Sequence, residues 1–209
     1  HKFTWGSEGR FNLFDEEIAQ KMAQAGCTKI MFGVEAGNER LRNEVVKKGV
    51  TDSQIRQGIR LCWRYNIEPD VFLMLGFPTE TKKELEDTVN FGRRFNPNMI
   101  GVHITVALPG SRLWDDLIKS GKISLELVDN YIEGRLGEGF RKIWPKYIPE
   151  GLTLNDLFEA RRRANRNFYF RPGYILRRAR RDIVSWRKIK EDFIEAYSLL
   201  RYGRSHRGE

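Results

Sequence analysis

Thr28-Lys29-Ile30-Met31-Phe32-Gly33-Val34-Glu35-Ala36-Gly37 is an apolar run that ends in a carboxylate set between glycines. Thr28 to Val34 reads as a buried strand, short and nearly continuous in apolar residues. Helical spacing follows over Glu39 to Val46. The same order returns twice. Val71 to Leu75, opened by Pro69, runs into Gly76-Phe77-Pro78-Thr79-Glu80-Thr81. Met99 to Leu108 runs into Pro109-Gly110-Ser111. Each apolar run stops at a tight glycine-bearing turn and leads into a helical pattern. Strand, polar turn and helix in series build a site at the carboxyl ends of parallel strands.

The helices carry their own signals. Asp15 can cap a helix whose apolar face is Ile18, Met22 and Ala25, closed by Gly26. Thr51 with Gln54, and Thr81 with Glu84, form capping boxes. The first opens a helix with Ile55, Ile59 and Cys62 on one face, the second a helix carrying Leu85, Val89 and Phe91. Ser111 can cap a helix through Leu113, Leu117 and Ile118 that ends at Gly121. Lys2 to Trp5 is a further short strand, followed by a loop through Gly9 and Arg10. Strands starting near residues 28, 70 and 99 have the spacing of successive βα units. Crossovers of this kind are right-handed, so the strands should lie parallel and gather Glu35, Gly76 to Glu80 and Pro109-Gly110 at one end. A closed barrel needs about eight strands. The expected fold is therefore α/β, either a partial (β/α) barrel or a small open sheet, over residues 1–121.

Residues 122–152 hold scattered Gly and Pro with Trp144 and Tyr147, and read as a connecting segment that packs on the barrel. Residues 153–209 read as a basic, mostly helical extension. One helix runs from Thr153 to near Phe168, Pro172 breaks it, and another runs from near Tyr174 to Leu200. The aromatics Phe168, Tyr169, Phe170 and Tyr174 are its expected anchor.

The chain has 209 residues and is 40% hydrophobic, enough for one domain with a core. No apolar run reaches the length of a membrane-spanning helix. Its two cysteines, Cys27 and Cys62, make no disulfide framework and read as buried thiols, which suits a reducing cytoplasm. The chain starts at His1, in the approach to a strand, and is expected to be a fragment of a longer protein. Charge is uneven. Residues 153–209 carry 15 Lys+Arg against 7 Asp+Glu, so nearly all of the net charge of +9 belongs to this extension.

The ordered motifs Gly26-Cys27, Gly33-Val34-Glu35, Lys48-Gly49-Val50-Thr51, Gly76 to Thr81 and Leu108-Pro109-Gly110-Ser111 resemble the C-terminal half of a radical SAM domain. The nearest likeness is to the cobalamin-associated Fe-S oxidoreductases, the group of the anaerobic magnesium-protoporphyrin IX monomethyl ester oxidative cyclases and related methylases. Phe168 to Pro172 resembles the tail motif of that group, and the likeness covers residues 1–176. It implies a partial radical SAM barrel with parallel strands. It also implies a full-length enzyme that cleaves S-adenosylmethionine (SAM) reductively with a 4Fe-4S cluster, so that an adenosyl radical takes hydrogen from a small-molecule substrate. Cobalamin-dependent methyl transfer is the variant outcome, and flavodoxin or ferredoxin the implied reductant. The family's CxxxCxxC cluster loop is absent. Cys27 and Cys62, 35 positions apart, cannot replace it, so no metal ligands are assigned to this chain and it should be inactive alone.

By the same resemblance Glu35 contacts SAM, and Gly76, Phe77 and Pro78 lie along its adenine. A carboxylate at a strand end can also simply cap the next helix, and Gly-Phe-Pro is also a plain βα loop. Arg10 would sit near the SAM carboxylate or the site rim, or be a solvated arginine. Lys48 matches a position that is often basic, and a lysine there also suits a helix C-terminus. His103 and Thr105 interrupt an apolar strand. His103 is either a substrate-side group facing the barrel interior, with Pro109 and Gly110 beyond it, or a hydrogen-bonded core histidine. Glu80 and Thr81 read as capping residues.

The basic extension has three readings: a solvated helix face, a nucleic-acid contact through Arg161 to Arg163 and Arg177 to Arg181, or an interfacial membrane helix built on Ile175, Leu176, Ala179, Ile183 and Trp186. No recognised nucleic-acid motif accompanies the arginines. The rival to an enzyme fragment is a basic α/β module that contacts RNA or a membrane surface.

Overall fold

Four strands, β1 (Trp5–Gly9), β2 (Cys27–Glu35), β3 (Glu68–Leu75) and β4 (Met99–Ile104), pair in that order, and every pairing is parallel. The computed structural model describes residues 3–123, 126, 129, 130, 133–135 and 147–182. Most of the connecting segment 122–152 and the helix expected beyond residue 182 lie outside the described residues. Between the strands come α1 (Glu16–Gln24), α2 (Asp52–Arg64), α3 (Lys82–Val89) and α4 (Phe91–Phe95). After β4 come α5 (Arg112–Lys119), α6 (Leu154–Tyr169) and α7 (Pro172–Asp182). This is the α/β architecture of parallel strands followed by a helical region.

Side chains alternate across a strand, so each strand has two unlike faces. One face carries Ile30, Phe32, Val34, Val71, Leu73, Leu75, Ile100, Val102 and Ile104. These pack with Ile55, Ile59 and Cys62 of α2, Leu85 and Val89 of α3, Phe91 and Phe95 of α4, and Leu157, Ala160, Ala164 and Phe168 of α6 in a single buried cluster. The basic extension therefore contributes to the main core through α6. Tyr169 Oη donates to the Ile100 carbonyl at 2.7 Å, and the Phe168 ring occupies the space a Cβ at Gly92 would need. Phe170 was expected in this anchor, but it is 58% exposed.

Both expected capping boxes form, on Thr51 with Gln54 and Thr81 with Glu84, and a third closes Thr153 with Asp156. Asp15 and Ser111 cap α1 and α5. Several boundaries differ from expectation. The first strand is Trp5–Gly9, because the Trp5 amide and indole reach the Gly26 and Ala25 carbonyls and set it beside β2. α1 buries Ala19, with Met22 and Ala23 packed beside the core, while Ile18 stays 38% exposed; its face is turned one residue from the expected one. Asn90 separates α3 from α4. β4 stops at Ile104, because β3 has already turned away at Gly76 and Thr105 bonds to Leu75 and Tyr147 instead. Pro172 is the first residue of α7, where its missing N–H costs no hydrogen bond.

Candidate functional site

The second face of the sheet is unlike the first. Among the described residues it carries Glu8, Met31, Gly33, Glu35, Phe72, Gly101 and His103, exposed or half-buried, with Asp70 buried at the start of β3. Where β2 ends on this face, three features coincide. The β2–β3 register slips between Gly33 and Glu35. Glu35 has φ 70°, and the Ala36 amide donates to the Val34 carbonyl at 3.0 Å, closing a three-residue turn around it. A residue with a Cβ held in such a turn costs on the order of 1–3 kcal/mol, a strain that gathers at functional sites. Finally, Lys48 Nζ donates to Glu35 Oε1 at 2.9 Å, with each side chain 21% exposed. Gly33 makes room for the pair, since a Cβ there would stand 2.5 Å from Glu35 Oε1 and 3.2 Å from Lys48 Nζ.

Arg10 follows β1 on the same side. Its guanidinium donates to the Lys48 carbonyl and, at 3.3 Å, to Asn12 Oδ1. Glu8, Gly9, Arg10, Met31, Gly33, Glu35, Lys48 and Phe72 line a cleft of about 410 Å³, within the range of small-ligand sites. It holds two cationic and two anionic side chains above an apolar floor of Met31 and Phe72. That arrangement can receive a zwitterion, with its carboxylate toward the cations and its ammonium toward the carboxylates.

Three of the expected site residues, Arg10, Glu35 and Lys48, are thus brought together. The others are not among the residues lining this cleft. Gly76 adopts φ 90°, and a Cβ there would meet the Tyr147 carbonyl at 2.7 Å, so protein neighbours account for the glycine. The Phe77 ring is buried with Ala36 and Leu41. Pro78 continues the same turn. His103 is not a core histidine: it is exposed on the open face, its ring 6.3 Å from that of Phe72. Pro109 and Gly110 form the turn ahead of α5, closed by the Ser111 amide on the Leu108 carbonyl at 3.0 Å.

Thr81 caps α3 as expected, whereas Glu80, also read as a capping residue, instead closes the turn at Gly76 and Phe77. Its Oε2 accepts from the Gly76 and Phe77 amides at 2.6 and 3.0 Å. Its Oε1 and Thr105 Oγ1 are buried and, among the described residues, have no hydrogen-bond partner. Burial pushes the Glu80 carboxyl up to about 7 against the pull of those two amides. Glu84, one turn on, moves the opposite way. Burial raises it, but hydrogen bonds from Arg40 and Thr81 overcome that and hold it below the usual value.

A 4Fe-4S cluster does not fit the residues present. Burial pushes the Cys62 thiol up to about 12, and the Cys27 thiol is raised for the same cause, so both are held protonated rather than as ligand thiolates. Among the described residues, no group of three His, Cys, Asp or Glu is placed to hold a metal. No helix among them is long and apolar enough to cross a membrane.

Sequence reasoning missed Arg42. It lies in a π-helical turn, Leu41–Val45, where a helix was expected, and its side chain is fully buried. The available signal was an arginine between Leu41 and Val45, in a segment otherwise read as one amphipathic helix. Asp70 was missed too. It is 2% exposed, takes Asn98 Nδ2 at 2.8 Å and pairs with Lys29 at 3.3 Å.

The radical SAM superfamily model matches residues 7–92, the stretch from β1 through the turn after β3 to the start of α4. An uncharacterized methyltransferase of Pyrococcus horikoshii is 27% identical over 192 residues, 87% of this chain and 40% of that protein. The anaerobic magnesium-protoporphyrin IX monomethyl ester cyclase of Cereibacter sphaeroides is 24% identical over 174 residues, 82% of this chain and 26% of that protein. The chain therefore spans less than half the length of either relative. Among solved structures, the archaeal Elp3 of Methanocaldococcus infernus superposes with a TM-score of 0.56 at 15% identity, covering 82% of this chain and 34% of that one, which is a likeness of fold. Residues 7–92, which hold the strained strand end and the charged cleft, are thus the stretch of this chain that matches the radical SAM superfamily model.

Proposed function

We propose that this chain supplies the carboxyl-terminal part of a radical SAM barrel in a longer enzyme of the oxidative cyclase or methyltransferase kind. The barrel strands fall within residues 1–121, and α6 and α7 belong to the helical extension. The reading is carried by one observation: Glu35, in a strained turn at the end of β2, is paired with Lys48 over a glycine in a cleft that Arg10 closes. The charges suit the amino-acid end of SAM, with Lys48 and Arg10 toward its carboxylate and Glu35 toward its ammonium or ribose hydroxyls. The Gly76-Phe77-Pro78 backbone would border the adenine, held in shape by Glu80. His103, Pro109 and Gly110, toward the β4 side, would face the substrate.

When bound, SAM supplies the adenosyl group for radical chemistry. This chain's residues bind and orient it. The cluster ligands, any cobalamin and the site for a flavodoxin- or ferredoxin-type reductant belong to other parts of the full-length protein, so the chain alone is inactive. Anaerobic reconstitution of the isolated chain with iron and sulfide should give no visible charge-transfer absorbance above a cysteine-free variant. A stoichiometric cluster would overturn the assignment.

The direct test is Glu35→Gln in the full-length protein. A hydrogen bond to a charged group contributes about 1.5–3 kcal/mol, so SAM affinity by calorimetry should fall roughly ten- to a hundredfold, with little change in melting temperature. Unchanged affinity with a lowered melting temperature would reduce Glu35 to a structural cap.

A further inference from the structure

Arg42 is 0% exposed. Burying a guanidinium is costly unless every donor direction is answered, and a hydrophobic residue of similar size often serves stability as well. The acceptors around Arg42 are therefore informative. Its Nη1 donates to the Ala36 carbonyl at 3.0 Å, its Nε to the Val50 carbonyl at 2.7 Å, and its Nη2 to Asp52 Oδ1 at 2.5 Å. Ala36 immediately follows Glu35, and Val50 lies two residues beyond Lys48. The Arg42 carbonyl itself accepts from the Lys48 amide at 2.9 Å. One side chain thus clips together both ends of the loop that presents the Glu35–Lys48 pair.

The local backbone is shaped for this role. The Val46 amide reaches back to the Leu41 carbonyl at 3.0 Å, a five-residue step that makes the π-helical turn holding Arg42. Such turns are rare and concentrate at functional sites. Asp52 is itself held from outside: Arg94 takes its second oxygen, and its amide donates to Glu39 Oε2 at 2.6 Å. The planar fork of an arginine can serve three acceptors in fixed directions, and a lysine cannot.

We propose that Arg42 is a positioning residue that sets the geometry of the Glu35–Lys48 pair without touching the ligand. The proposal rests on the reading of that pair as part of the SAM site. The test compares Arg42→Lys, Asp52→Asn and Glu35→Gln in the full-length protein. SAM affinity is read by calorimetry, and order in residues 36–51 by hydrogen exchange with mass spectrometry. Arg42→Lys should weaken SAM roughly tenfold or more, and should raise exchange in 36–51 while leaving β2 and β3 as protected as before. Asp52→Asn, which takes the charge from one of the three arms, should do both to a smaller degree.

A folded Arg42→Lys protein with unchanged affinity and unchanged exchange in 36–51 overturns the proposal. So does exchange that rises equally across β2 and β3, which makes Arg42 a general stability residue. If Arg42→Lys does not fold, Asp52→Asn decides: no local rise in exchange overturns the proposal. Glu35→Gln separates the two levels. If it leaves SAM affinity intact, the site reading fails, and Arg42 is then judged on hydrogen exchange alone.

Discussion

The two faces of one four-stranded sheet differ in almost every respect. The helix-covered face is aliphatic and aromatic, continuous across β2, β3 and β4, and sealed by α2, α3, α4 and α6. The other alternates charge, glycine and single large side chains: Glu35 and Gly33 on β2, Phe72 on β3, Gly101 and His103 on β4. Parallel sheets are as a rule covered on both faces. The contrast teaches that stability and chemistry are divided by strand parity. From Ile30 to Glu35 on β2, residues at even numbers hold the fold together, and residues at odd numbers are left to the site. Substitutions matched across the sheet can break or sharpen this division.

The largest effect belongs to the covered face. Phe32 is fully buried, stacked on Phe11 at 3.9 Å between ring centroids and met edge-on by Phe14 at 5.5 Å. Phe32→Ala should cost about 3–5 kcal/mol through lost burial and the cavity left behind. Phe72→Ala, the same change on the open face, should cost about 1 kcal/mol or less, because less area leaves water and no closed cavity forms. Urea unfolding of both variants measures the difference. Equal losses would show that the two faces are buried alike.

Next comes pH, acting where the two faces meet at the strand ends. Glu80 has its carboxyl raised by burial to about 7, against an ordinary 4.5. The folded state therefore keeps a proton that the unfolded state releases near the ordinary value. That contribution is complete below pH 4.5 and is lost as pH rises through 7. Its size is on the order of 3 kcal/mol from the shift itself. Stability should fall from pH 5 to pH 8, and Glu80→Gln should flatten that slope while keeping an acceptor for the Gly76 and Phe77 amides. A slope unchanged by the substitution would assign it to other groups.

How far the division could be read beforehand depends on the distance over which each feature is determined. Capping boxes are settled within four residues, and those on Thr51 and Thr81 were legible. So were the strands through Gly33 and Leu75, because apolar runs and glycine-bearing turns are local. Arg42 was not, because its partners Ala36, Val50 and Asp52 converge only after the loop closes. His103 was legible in parity, lying opposite to Ile100 and Val102 across the strand, but which face the helices cover is decided by tertiary packing. The end of β4 was misplaced by four residues, because its stop depends on where β3 turns away. Arg10, Glu35 and Lys48 could be named one by one from motif resemblance; the cleft that joins them required the fold.

A smaller effect tests whether the covering helices are held independently of the site. Thr51 accepts from the Gln54 amide at 3.2 Å, and Gln54 returns a bond to the Thr51 amide at 2.9 Å. Thr51→Ala should cost about 1 kcal/mol, by loss of one capped donor at the start of α2. The change lies next to Val50, which Arg42 holds, so SAM affinity of the full-length protein is the second readout. A stability loss with unchanged affinity keeps covering helix and site separate.

The smallest effect is expected at His103. It projects from β4 on the open face, between half-buried Gly101 and buried Thr105, and a Cβ at Gly101 would stand 3.4 Å from its Nε2. Phe72 is its aromatic neighbour at 6.3 Å, near the far limit for a ring pair. An exposed side chain with that single ring contact contributes little to folding, so His103→Ala should change stability by no more than about 0.5 kcal/mol in urea unfolding. In the full-length protein, the same substitution should raise the substrate KM while leaving SAM affinity unchanged, because the residues proposed to hold the amino-acid end of SAM, Arg10, Glu35 and Lys48, lie just after β1, at the end of β2 and in the loop beyond it. A stability loss above about 1 kcal/mol would place His103 in a packed interior, and a loss of SAM affinity would move it from the substrate side into the SAM site.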